Sequence, residues 1–131
     1  MSVLARDLIE KHTEHIFKDT NTKDIKQSRV CLIVIANINR QSYYLILSSH
    51  SNNAFEYYQR FPDWNYLLAK KRCDGLKYTS CVNLRDIYEG EPLGRPILTV
   101  PEDEFRKLII AFKRWQNSNP DKLYNTIKDL V

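Results

Sequence analysis

Seven consecutive apolar residues, Val30-Cys31-Leu32-Ile33-Val34-Ile35-Ala36, constrain this chain more than any other feature. The run is rich in β-branched side chains, and its length suits a strand better than a helix. Tyr43-Tyr44-Leu45-Ile46-Leu47 has the same aromatic and branched character, which fits a pleated surface. Between them, Asn37-Ile38-Asn39-Arg40-Gln41 has turn chemistry, because asparagine tolerates left-handed backbone. Two such runs around a short polar break predict an antiparallel hairpin from Arg29 to His50. Neither strand alternates cleanly between apolar and polar residues. Both are therefore expected to be buried on two faces, in a barrel or under helices.

The 131 residues suit one domain spanning 1–131. Ser2 to Phe17 reads as a helix, with Leu4, Leu8, His12 and Ile16 on one face. Ser48 to Asn53 reads as a polar loop and Phe55 to Gln59 as a further strand. Trp64 to Lys71 fits either a strand or a short helix. Asp74-Gly75 marks a turn, and Tyr78 to Tyr88 reads as a strand. Glu89 to Pro96, with two prolines and two glycines, is expected to be loop. A helix is expected from a capping box at Thr99, with Phe105, Leu108, Ile109, Phe112 and Trp115 as its apolar face. A last helix is expected from Asn119 and Pro120, with Leu123, Tyr124, Ile127 and Leu130 inward. The fold class read from these elements is α+β.

Several function classes drop out. With three glycines, a glycine-rich phosphate cradle is excluded, and neither G-x-S-x-G nor H-E-x-x-H occurs. The three cysteines, Cys31, Cys73 and Cys81, include no C-x-x-C pair, so reduced thiols are expected and no cofactor is implied. No apolar run approaches the roughly 20 residues of a bilayer-spanning helix, so a cytoplasmic protein without a membrane partner is expected. His12 and His15 stand three apart, yet two ligands do not close a zinc site. The formal net charge is +4. From Lys26 to Lys77 eight basic residues face three acidic ones. A locally basic middle fits either a polyanionic partner or a solvated lysine-rich surface.

The candidate chemistry lies at the hairpin's open end. Ser48-Ser49-His50 ends the second strand, and Arg29 starts the first. A guanidinium beside hydroxyls and an imidazole suits a phosphodiester: the arginine binds phosphate in a fork and the histidine moves a proton. RNA brings its own 2′-hydroxyl nucleophile, so no metal is required. Strand-ending serines and an edge-covering arginine would produce the same spacing. Arg60, Trp64, Lys70, Lys71, Arg72 and Lys77 interleave cations and aromatics, the composition that suits single-stranded nucleic acid.

The hairpin, together with Gly75 to Ile87 and Leu93 to Trp115, resembles the MazF/PemK/ToxN toxins. In that family the second strand ends in a hydroxyl pair and a later strand follows further hydroxyl residues. The resemblance covers roughly residues 29–50 and 75–115. It implies an SH3-like, partly open antiparallel β-barrel, here with an N-terminal helix and two C-terminal helices. It also implies a metal-independent endoribonuclease, neutralised by a cognate protein or RNA antitoxin and able to form a homodimer. Arg29 falls on the family's arginine, and Ser48 and Ser49 on its threonine-serine pair. The sequence departs from the family in lacking the Gly-Asp strand at the N-terminus and in reading Arg29-Val30 for Arg-Pro. Two further readings stand beside this one: a non-enzymatic single-strand-binding module and a protein-interaction domain.

Overall fold

The structure is a computed structural model that describes residues 5–12, 28–38, 41–90 and 94–131. Its strands are β1 (Asp7–His12), β2 (Ser28–Ile38), β3 (Gln41–His50), β4 (Asn65–Leu68), β5 (Ser80–Asn83), β6 (Tyr88–Gly90) and β7 (Arg95–Thr99). Among the described residues the helices are α1 (Ala54–Arg60), α2 (Glu102–Ser118) and α3 (Tyr124–Ile127), with a 3-10 turn at Lys70–Arg72. The seven strands form one sheet in the order β4-β5-β3-β2-β1-β7, with β6 also on β3. Every pairing among the described residues is antiparallel. The sheet is open, with β4 and β7 ending that path. The class is α+β.

The hairpin forms as its composition predicts. Cys31, Leu32 and Ile33 of β2 stand opposite Ile46, Leu45 and Tyr44 of β3. Successive residues feed two cores, which explains the missing alternation. Leu32, Val34, Leu45 and Leu47 join the larger core with Leu108 and Phe112 of α2 and Tyr124 and Ile127 of α3. Cys31, Ile33, Tyr44 and Ile46 join Ile9 in a second core on the other face. All three cysteines are free and buried.

Several expectations are corrected. The N-terminal segment is not a helix where it is described. Residues 7–12 form β1, paired to β2 on one side and β7 on the other. Adjacent Leu8 and Ile9 are both fully buried, in different cores, as a strand covered on both faces requires. Residues 2–4 and 13–17 of the expected helix, His15 among them, lie outside the described residues, as does part of the turn at 39–40. Phe55 to Gln59 belongs to α1. β3 runs on to His50, so the expected loop starts later. Only Ser80–Asn83 of the Tyr78–Tyr88 stretch is the β5 strand, with Tyr88 opening β6.

The C-terminal caps also differ. Thr99 is the last residue of β7, and its hydroxyl donates to Asp7 Oδ1 at 2.6 Å instead of capping a helix. Helix α2 starts three residues later, after Pro101. Asn119 closes α2 by donating its backbone N–H to the Trp115 carbonyl. The last helix shrinks to one turn at Tyr124–Ile127, and Leu130 is exposed. Gln116 explains the delay: buried, it accepts from the Asp121 N–H at 2.7 Å and donates to the Leu84 carbonyl at 2.7 Å.

Candidate functional site

β3 changes partners at its C-terminal end, and that switch builds the site. Its ladder to β2 stops at Cys31↔Ile46. Beyond it, Leu47, Ser49 and His50 pair with Val82, Cys81 and Ser80 of β5, with a register shift at Ser48. β2 meanwhile continues on β1, where Arg29 stands opposite Lys11. Carried on by two residues, the hairpin register would set Arg29 opposite Ser48, but the strands follow different neighbours there. A bulge of this kind re-aims side chains and bends its strand.

His50 is the residue with the clearest chemistry. Its Nδ1 lies 2.6 Å from the Ser80 hydroxyl oxygen. Ser80 is fully buried and donates its own hydrogen to the Tyr78 carbonyl at 2.8 Å. A hydroxyl has one hydrogen, so Ser80 accepts from His50 Nδ1–H. The imidazole is thereby held as the tautomer with a bare Nε2. The Tyr78 ring packs edge-on at 5.4 Å, and Lys77 Nζ sits 5.3 Å from that ring's centre. Burial first, and then the Lys77 charge, push the His50 pKa below its ordinary 6.5. His50 is therefore a neutral base at neutral pH.

The two serines are tied into the sheet. Ser48 Oγ donates to Asn65 Oδ1 and lies 3.3 Å from the Cys81 carbonyl. Buried Asn65 in turn donates to the Phe61 carbonyl at 3.0 Å. Ser49 shares a 3.3 Å hydrogen bond with Ser51, which accepts from the Asn53 N–H. Arg29 lies near Tyr88, whose ring stacks on Tyr44 at 6.0 Å. Burial and the Asp86 charge push the Tyr88 hydroxyl up to about 12, while Arg29 and Arg85 pull the other way. Cys81 is no nucleophile: burial pushes its thiol up to about 11, and it donates to the Ala54 carbonyl.

The cations divide between the two ends of β4. Lys70, Lys71 and Arg72 are exposed in the 3-10 turn, and the Lys70 N–H donates to Thr79 Oγ1 at 3.0 Å. With Lys77 they rim the His50–Ser80 end, since Leu68 pairs with Ser80 and Ser80 with His50. Trp64 and Arg60 stand at the other end. Arg60 lines an open concavity of about 640 Å³ with Asn53, Glu56, Tyr57 and Gln59. Sequence reasoning missed Ser80, Asn65 and Arg85. Their roles come from the β3–β5–β4 pairing, which no local pattern announces.

Among the described residues no three His, Cys, Asp or Glu side chains group so as to hold a metal ion. No described helix is long and apolar enough to cross a membrane. No protein-family model matches the chain, and no curated protein matches it.

Proposed function

We propose that this chain is the toxin of a toxin–antitoxin system, an endoribonuclease that cleaves single-stranded RNA without a metal. The observation that carries the reading is the seat of His50: its Nδ1 lies 2.6 Å from the Ser80 hydroxyl, whose own hydrogen goes to the Tyr78 carbonyl, and burial and the Lys77 charge disfavour the imidazolium. Such a base takes the proton of a 2′-hydroxyl. The 2′ oxygen then bonds to phosphorus, the bond to the 5′ oxygen breaks, and solvent protonates that oxygen. A 2′,3′-cyclic phosphate remains. Arg29 holds the phosphate, and Ser48 and Ser49 act as positioning residues, their hydroxyls already engaged within the sheet.

The fold supports the resemblance to the MazF/PemK/ToxN toxins in one respect beyond the hairpin. Strand β1 fills the N-terminal position where those toxins carry a strand. An SH3-like arrangement of the open sheet, a cognate antitoxin, a homodimer and a cytoplasmic site of action belong to this proposal. The test is expression of the wild type and of Arg29→Ala in a host lacking any antitoxin. Growth arrest by the wild type alone is expected. Normal growth with both would contradict the proposal.

A second reading is a binding module that does not cleave. It is favoured by the aromatic cluster of Tyr57, Phe61 and Trp64, with ring centres 5.1 to 6.0 Å apart, which has no part in the His50 chemistry.

A further inference from the structure

Phe61 is an aromatic side chain left 39% exposed at the C-terminal end of α1. It leans on Trp64 at 5.1 Å with the rings 39° apart, and Tyr57 closes on both. The Arg85 guanidinium lies 4.3 Å from the centre of the Trp64 ring and 3.3 Å from Asp86, yet its side chain stays 51% exposed. Cation–π contact and ion pairing at once hold an otherwise mobile arginine in one place. Its backbone N–H is also fixed, donating to Asn83 Oδ1 at 2.7 Å.

The cluster is joined to the candidate catalytic strand. Asn65 bonds the Phe61 carbonyl with its amide nitrogen and accepts from Ser48 with its oxygen. One buried side chain thus spans from the aromatic surface to the β3 bulge. β4 then runs from Asn65 to Leu68, the partner of Ser80, which in turn pairs with His50, and the cations Lys70, Lys71 and Arg72 follow in the next turn.

We infer that Phe61 and Arg85, backed by Trp64 and Tyr57, form a subsite for one unpaired RNA nucleotide, its base stacked on the Phe61 ring and its phosphate on the Arg85 guanidinium. The subsite anchors a strand that runs along β4 to His50, so it rests on the ribonuclease reading for its purpose. Its chemistry stands apart from cleavage. Charge complementarity selects the occupant: an exposed ring flanked by a fixed guanidinium, with a lysine- and arginine-rich turn at the far end of the same strand, matches bases spaced along a polyanion. A folded protein partner would be expected to meet an apolar patch without that cationic continuation.

The test is fluorescence anisotropy with a labelled single-stranded 12-mer RNA in a His50→Ala background, beside a cleavage assay of the wild type. Phe61→Ala is expected to weaken binding roughly fivefold to a hundredfold, the range for loss of one stacked base, and Arg85→Ala to weaken it more than twofold and to lower its salt dependence, as loss of one phosphate contact does. Phe61→Tyr keeps the ring and should bind as the parent does. An abasic 12-mer should bind more weakly and be insensitive to Phe61→Ala. Arg85 is exposed, so its variant reports on the subsite even if Phe61→Ala loosens α1. Binding by both alanine variants within twofold of the parent, or no RNA binding by the parent, overturns the inference. RNA that is bound through these residues but left intact by the wild type overturns the ribonuclease reading and leaves the subsite standing.

Discussion

Ser80 gives its one hydrogen to the Tyr78 carbonyl, so it accepts from His50 Nδ1–H, and the neutral ring keeps its lone pair at Nε2. The Lys77 charge acts on the same ring. Removing the charge in Lys77→Gln should raise the His50 pKa toward its ordinary 6.5, which an NMR titration of the imidazole protons would read. An unmoved pKa would contradict the assignment. The sign for stability follows from the same depression. The unfolded chain binds a proton on His50 at a higher pH than the folded chain does, so stability decreases as pH falls from the ordinary value of 6.5 through the lowered one. His50→Gln should flatten that part of the pH dependence of the denaturation midpoint. Of these details the sequence disclosed His50 and the neighbouring lysine. Ser80 was hidden, because a serine 30 residues away becomes a partner only through strand pairing.

At the scale of elements, strands and helices were legible where one tendency acted alone. The hairpin was plain because its two runs are apolar, branched and short. β1 was not, since a six-residue strand covered on both faces loses the alternation that marks a strand. α1 was misread because Phe55, Tyr57 and Tyr58 are strand-favouring residues, whereas only Ala54 of that helix is buried, Phe55 is exposed and Tyr57 packs sideways on Trp64. Glu104 is 2% exposed at the start of α2 and accepts a 2.6 Å hydrogen bond from the Tyr66 hydroxyl of β4. Burial, and then that bond, push the Tyr66 hydroxyl above its usual range. Tyr66→Phe leaves the carboxylate buried without its donor and should cost roughly 1–3 kcal/mol in urea denaturation. Phe112→Ala, in the core between α2 and the sheet, should cost roughly 3–5 kcal/mol by the same measurement.

For the whole molecule, the sheet gives a place to a charge asymmetry that composition states only as a number. The basic middle of the chain folds so that Lys70, Lys71, Arg72 and Lys77 gather at the end of β4 that adjoins His50. If this rim holds RNA, affinity should fall steeply with salt, with log Kd linear in log salt concentration. Lys71→Ala should lower the slope by roughly 0.7, the single-strand value per phosphate contact. A slope unaffected by the substitution would move the contact elsewhere. The class, α+β, was readable in the order of elements, but the switch of β3 from β2 to β5 was not. It depends on which strand wins each edge of β3, and that competition is decided by the packed sheet as a unit.

The most direct measurement is the fate of single-stranded RNA incubated with purified protein in excess chelator. Cleavage by the wild type is expected, with products ending in 2′,3′-cyclic phosphate and an acid limb of the rate profile below pH 6.5 set by His50. His50→Gln should leave the fold intact and abolish that cleavage. Intact RNA with the wild type, or equal cleavage by His50→Gln, would contradict it.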